Sequence, residues 1–296
     1  LVLRIGTRGS QLALTQTGMV ADAIAAATPS VTCELVRITT TGDVRRTESL
    51  PDIGGKGLFT QELETALLAG EIDLAVHSLK DLPVELPAGL CLGAVPERAP
   101  AADALISASG APLADLPAGA VVGTSSPRRA AQLLHARPDL SIAPIRGNLD
   151  TRLRKLSDGN YDAIVLAMAG LVRLGMADRV TQVLPWDVML PAPGQGALGL
   201  ESRADDARVA DLLAPIHHAS TARCVAAERG VLEALGGGCS LPFGAIAEQA
   251  GDGLRLRAIL FGPDGRPPRR AEATDTDRAA LAQAVAADLA PRSTNT

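Results

Sequence analysis

The chain has 296 residues, 47% hydrophobic and 21% charged, with a formal net charge of −5. At about 150 residues per domain that predicts two domains or three small ones, with an ordinary globular composition rather than a disordered one. The negative balance and 2% aromatic content argue against a general nucleic-acid binder or a base-stacking platform, and the longest near-continuous apolar run, Ala163 to Val172, is far short of the about 20 residues a membrane span needs.

The first third alternates strand and helix patterns. Val2 to Gly6 predicts a short buried strand. Leu12, Gln16, Met19, Val20, Ala23, Ile24 and Ala27 mark one helical face. Thr28-Pro29 stops that helix, and Cys33 to Ile38 is rich in β-formers. Thr39 to Gly57 is a polar, glycine-bearing loop, long enough for a functional lid. Phe59, Leu63, Ala66 and Leu67 outline a second helix, and Ile72 to Val76 a strand ending at His77-Ser78. This alternation predicts a largely parallel sheet.

After a crossover at Pro96 to Pro100 a second alternating block follows. Ala104 to Ser107, Ala120 to Val122, Ile142 to Ile145 and Ala163 to Leu166 are predicted strands; Pro127 to His135 and Leu149 to Leu156 are predicted helices. Leu190 to Gly196 reads as a second crossover, followed by a strand at Leu198 to Glu201. Two α/β blocks joined by two crossovers imply a bilobed clamp with its ligand in the cleft. From Ser220 the texture changes. Cys224, Ala227, Val231 and Leu235 form a helical stripe that stops at Gly236-Gly237-Gly238. Antiparallel strands at Phe243 to Glu248 and Leu254 to Phe261, a turn at Asp264-Gly265 and a helix through Leu281, Val285 and Leu289 complete a small α+β domain.

The basic residues are lopsided: lysine occurs only at Lys56, Lys80 and Lys155, so 25 of the 28 are arginine. A GC-rich genome is the plain cause; a ligand set for planar carboxylates is the sharper one. Position separates them. Gly123-Thr124-Ser125-Ser126-Pro127-Arg128-Arg129 directly follows a predicted strand. Hydroxyls there can cap the next helix, Pro127 suits its first position, and the helix N-terminus carries unpaired N–H groups and partial positive charge. A simple cap with solvated arginines is the bland alternative; three consecutive hydroxyls with two arginines favour an anion seat. Arg146 and Arg152, Arg173, and the Arg8–Ser10 turn also follow predicted strands, at the sheet edge where α/β proteins bind ligands. Together they point to several carboxylates or phosphates. Lys80-Asp81 follows another strand; it is either a surface ion pair or a carboxylate that steadies a cationic intermediate.

Other motifs carry less. Gly54-Gly55-Lys56-Gly57 lacks the phosphate-loop spacing and predicts a mobile tip. His217-His218 is assigned to a helix start or linker, and no metal site is expected. Cys33, Cys91, Cys224 and Cys239 form no C-x-x-C pair, which suggests neither zinc nor redox chemistry and fits a reducing cytoplasm. Cys239 sits among glycines; from the residues alone it is either a functional thiol or a small buried hydrophobe.

In this order, Arg4-Ile5-Gly6-Thr7-Arg8-Gly9-Ser10, Gly54 to Phe59, Ala75 to Pro83, the 123–129 turn, Arg146-Gly147-Asn148, Pro193 to Gly196 and the Gly-Gly-Cys loop resemble the porphobilinogen deaminase family. The likeness runs from about residue 3 to 262. It implies a three-domain cytoplasmic monomer: two α/β lobes like those of type II periplasmic solute-binding proteins, residues 1–96 (completed by 194–216) and 97–193, and a small C-terminal α+β domain, 217–296. It implies a transferase that deaminates four porphobilinogens and joins them into linear hydroxymethylbilane for tetrapyrrole synthesis, releasing ammonia, with porphobilinogen as small-molecule partner, no membrane or nucleic-acid partner, and a hand-off to the next tetrapyrrole enzyme.

The resemblance also implies roles. A dipyrromethane cofactor is fixed by a thioether to Cys239. Lys80, Asp81, Thr124, Ser125, Ser126, Arg128, Arg129 and Gln195 match cofactor-binding positions. Arg8, Ser10, Arg146, Arg152 and Arg173 match positions that hold substrate or growing product. Asp81 matches the catalytic carboxylate, and Lys56 and Phe59 the mobile loop. Pro127 departs from the aliphatic residue common there and should be benign at a helix start; the polar ending 290–296 departs from longer apolar helix ends. The competing class is a non-enzymatic bilobed anion-binding receptor, which would need neither Cys239, Asp81 nor a third domain.

Overall fold

The computed structural model describes residues 1–40, 60–237, 241–262 and 267–290. In chain order its strands and helices are β1 (Val2–Thr7), α1 (Gln11–Ala27), β2 (Thr32–Arg37), α2 (Gln61–Leu68), β3 (Leu74–Ser78), β4 (Leu90–Ala94), β5 (Asp103–Ser107), β6 (Val121–Gly123), α3 (Pro127–Ala136), β7 (Ser141–Ala143), α4 (Leu149–Ser157), β8 (Ala163–Ala167), α5 (Met168–Arg173), β9 (Gln182–Val183), β10 (Leu198–Arg203), α6 (Ala207–Leu213), α7 (Ala219–Ala234), β11 (Phe243–Ala250), β12 (Gly253–Leu260), β13 (Arg269–Asp275) and α8 (Arg278–Leu289).

Two five-stranded sheets share one plan. The first runs β2-β1-β3-β10-β4 and the second β7-β6-β8-β5-β9. In each, three strands are parallel and the fourth is antiparallel to its neighbours. The expected largely parallel sheets are therefore mixed. The reason is connectivity: β5 and β10 are the strands that enter each lobe from a crossover. They arrive without the right-handed helical return that makes neighbours parallel. The weakest sequence signals were the short edge strands β4 and β9, and also β13, whose polar alternation hides a strand paired on one side only.

Each lobe packs apolar side chains on both faces of its sheet. Leu3, Ile5, Leu74 and Leu200 lie in one cluster with Val20 and Ile24 of α1, while Leu63 and Leu67 of α2 cover the other face. In the second lobe Leu105, Val122, Leu133 and Val165 oppose Ile106, Leu153, Ile164 and Leu166. Such strands bury both sides, so they read as continuous apolar runs; each fully buried Leu or Ile contributes about 1.5–3 kcal/mol.

The C-terminal α+β domain is an antiparallel sheet, β11-β12-β13, with α7 and α8 across one face. Its other face meets the second lobe through Ile246, Ile259 and Leu190, beside Trp186 and Phe261. Val225 of α7 packs with Leu79, Leu82 and Ala197 of the first lobe. His218 caps α7, its Nδ1 accepting from Thr221 N, so the paired histidines do mark a helix start. Among the described residues no helix is long and apolar enough to cross a membrane.

The two crossovers touch. Ala99 N donates to Gly196 O at 3.2 Å. Gly196 has φ +89°, and a Cβ there would stand 2.3 Å from the Ala99 carbonyl oxygen, so only glycine permits this approach.

Candidate active site

Between the lobes lies a cavity of about 330 Å³. Two turns of the first lobe and one helix face reach it. Ser10 caps α1, accepting from Ala13 N at 3.3 Å, and presents Arg8 beside it. Gln16 of α1 donates from Nε2 to Ser78 Oγ at 3.0 Å. Ser78 ends β3 and leads into the single 3₁₀ turn Leu79–Asp81 that carries Lys80 and Asp81. Leu79, fully buried, anchors that turn.

The second lobe supplies the opposite wall. At the β6–α3 turn Ser126 is the helix cap, Pro127 occupies the first helical position, and Thr124 Oγ1 accepts from Ser126 N at 3.2 Å. Ser125 Oγ donates to Ile145 O at 2.9 Å and accepts from Ile145 N at 3.0 Å, fastening this turn to the next. That next turn carries Arg146 and Gly147, whose φ is +113°; Arg152 of α4 folds back to donate from Nε to Gly147 O at 2.8 Å. Arg173, at the end of α5, donates from Nη2 to Gly196 O at 2.6 Å, and its buried Nε has no hydrogen-bond partner.

Among the described residues, the cations lining this cavity are Arg8, Lys80, Arg129, Arg146, Arg152 and Arg173, against the lone carboxylate of Asp81. Burial pushes Lys80 down to about 8, opposed by Asp81. Burial lowers Arg152 and Arg173 each to about 10. These groups remain cationic at neutral pH, but at a cost that an arriving anion would relieve. Such a surplus suits a ligand with several carboxylates, and the unpartnered Arg173 Nε is a donor in want of an acceptor.

Thr124, Ser126, Arg128 and Gln195 stand behind the wall rather than on it. Arg128 Nη1 donates to Asp103 Oδ2 at 2.6 Å and to Leu190 O at 2.7 Å. Arg129 meets Asp103 Oδ1 through Nε at 2.9 Å and Nη2 at 2.6 Å. Gln195, fully buried, donates to Asp103 Oδ1 at 3.0 Å and accepts from Lys80 Nζ at 3.4 Å. Burial alone would raise the Asp103 carboxyl; the two guanidiniums hold it well below the usual carboxylate range. Sequence reasoning missed Asp103. The available signal was a carboxylate opening an otherwise apolar strand. Cys239, Lys56 and Phe59 lie outside the described residues, as do the Asp264-Gly265 turn and most of the Thr39–Gly57 loop.

Two α/β lobes of one topology facing across a guanidinium-lined cavity, with a third domain packed on both, define the class: a bilobed protein whose cleft suits a ligand with several acids. The family description "Porphobilinogen deaminase, dipyromethane cofactor binding domain" matches residues 3–211, and "Porphobilinogen deaminase, C-terminal domain" matches 222–291. The chain is 53% identical over 270 residues to a porphobilinogen deaminase of Sorangium cellulosum, covering 91% of this chain and 90% of that one. It is 50% identical over 288 residues to one of Roseiflexus castenholzii, covering 97% and 95%. Among solved structures, a periplasmic domain of BvgS from Bordetella pertussis superposes with a TM-score of 0.43 at 16% identity, over 72% of this chain and 85% of that one.

The chain belongs to the porphobilinogen deaminase family. It is a transferase of tetrapyrrole biosynthesis that polymerises porphobilinogen stepwise, with loss of ammonia, by way of a dipyrromethane cofactor. The receptor alternative falls with that membership.

Proposed function

We propose that Cys239 carries the cofactor through a thioether, and that the cavity between the lobes is where each porphobilinogen is added. The observation that carries this reading is the six-to-one excess of cations over carboxylates among the described residues of the cavity wall. The bound dipyrromethane supplies a free pyrrole α-carbon as nucleophile. Lys80, Ser125 and Arg129 meet its acids from the wall, and Thr124, Ser126, Arg128 and Gln195 set the shape and charge behind them. Arg8, Ser10, Arg146, Arg152 and Arg173 hold the acetate and propionate of incoming substrate and of the growing chain. Each charge-assisted hydrogen bond is worth about 1.5–3 kcal/mol, so the acids are held without a metal.

Asp81 is the catalytic carboxylate in this reading. Among the described residues it is the only acid on the cavity wall, and its 3₁₀ turn is fixed at one end by buried Leu79 and at the other by Leu82. A carboxylate so placed meets pyrrole N–H groups and steadies the positive charge that develops on substrate as ammonia leaves. The division into 1–96 with 194–216, 97–193, and 217–296 follows the three sheets; the enzyme works as a cytoplasmic monomer and hands its product to the next tetrapyrrole enzyme.

Intact-mass measurement tests the attachment. The purified wild type is expected to carry a mass excess equal to the dipyrromethane, absent from Cys239→Ser; an active wild type of unmodified mass overturns the assignment.

A further inference from the structure

Arg229 of α7 stands off the cavity wall, yet its guanidinium grips the turn that carries Lys80 and Asp81. Its Nη1 donates to Leu79 O at 3.2 Å and to Leu82 O at 2.8 Å, and its Nη2 donates to Pro83 O at 2.6 Å. The local sequence explains why these carbonyls are available. Pro83 disfavours helical backbone at the residue before it, so Leu82 turns extended at φ −83°, ψ 127° and the 3₁₀ turn stops at Asp81. The Leu82 and Pro83 carbonyls therefore lie past the turn and outside any strand. Carbonyls withdrawn from water need donors, and one planar guanidinium serves several at once. Val225, one turn earlier on the same face of α7, packs on the side chains of Leu79 and Leu82. From the other side Leu79 N donates to Ala197 O at 3.0 Å. The turn is thus held at both ends, with Lys80 and Asp81 between the holds. Asp81 is exposed, so the backbone of its turn sets where the carboxylate stands. Burial pushes the Arg229 guanidinium down, with Glu233 opposing; the three carbonyls offset that cost, which an apolar residue at 229 would not incur.

We propose that Arg229 is a positioning residue for the deamination step: it fixes the turn so that the Asp81 carboxylate stands where positive charge develops on the substrate. The proposal rests on the reading of Asp81 as the catalytic carboxylate. The same grip couples that turn to the helix which, five positions past its end at Ala234, leads to Cys239. An Arg229 that only anchors the C-terminal domain would affect how firmly α7 sits on the first lobe, whether or not Asp81 is present. A positioning Arg229 acts on the rate through that carboxylate alone.

A double-mutant cycle on the full-length holoenzyme, read by ammonia release, separates the two roles. Arg229→Met is expected to lower kcat by about 10–100-fold, the effect of displacing a reacting group by up to about 1 Å, with KM for porphobilinogen within about twofold of the parent. In an Asp81→Ala background the same substitution is expected to cost nothing further. Should Arg229→Met not fold, Arg229→Lys, which keeps the charge but not the planar fork, takes its place in both backgrounds. An equal loss in the two backgrounds, or no loss with Asp81 present, overturns the proposal. A near-normal rate in Asp81→Ala alone is a different failure: it defeats the functional reading first and the proposal with it, whereas an equal loss leaves that reading standing.

Discussion

Glu228 of α7 and Arg98 of the first crossover lie 130 positions apart and form a two-pronged ion pair, Nη1 to Oε1 at 2.6 Å and Nη2 to Oε2 at 3.0 Å. The carboxylate is fully buried and also accepts from Gly194 N of the second crossover at 2.8 Å and from Ala247 N of β11 at 2.9 Å. Arg98 Nε donates to Gln195 O at 2.7 Å. One acid of the C-terminal domain therefore ties both crossovers to its own sheet, beside the amide that links Lys80 to Asp103.

Glu228→Gln removes the charge, leaves the Arg98 guanidinium unpaired and takes away one of the acceptors that bind the crossovers. Breaking a buried pair from one side costs about 3–5 kcal/mol. Urea unfolding of the variant is expected to show a loss of that order. A loss under about 1 kcal/mol, the range of surface pairs, removes this junction as a major tie between the domains.

Asp81→Ala is expected to keep the covalent cofactor and lose turnover by about 10²–10³-fold, the usual effect of removing one stabilising group from a charge-developing step. Mass spectrometry reads the first and ammonia release the second. The expectation of retained cofactor follows from position: Asp81 is exposed at the cavity wall and takes no part in the Asp103 cluster. Near-normal ammonia release removes Asp81 from the mechanism.

Lys80 gives a pH signature. Burial lowers its folded-state value from 10.5 to about 8, so between those limits the unfolded chain binds more protons than the folded one. Stability therefore rises with pH across that window, and the gain is lost as pH falls through about 8. In a Cys239→Ser background, thermal midpoints from pH 7 to 10 are expected to climb more steeply with Lys80 present than in Lys80→Met. Parallel curves would mean that burial does not strain the ammonium.

The strand-then-turn positions of Arg8, Lys80, Arg129, Arg146, Arg152 and Arg173 were legible because a strand's apolar run and the polar residues that end it lie next to each other in the chain. The same local logic placed the caps at Ser10 and Ser126 and set Pro127 at a helix start. It did not reveal that Arg128 faces inward and Arg129 reaches the cavity, since adjacent residues on a helix diverge by about 100° and only packing decides which direction is core.

The sequence by itself determined the alternation of strands and helices, the two crossovers, the separate α+β domain and the gathering of arginines at strand ends, all properties of short stretches with a clear period or turn chemistry. Only the tertiary structure decided that β5 and β10 run against their neighbours, that Asp103 holds two guanidiniums and an amide, and that Glu228 closes on Arg98. Those are partnerships between residues dozens to more than a hundred positions apart. A buried charge is stable only where folding brings its counter-charge, and no local pattern encodes where that counter-charge will be.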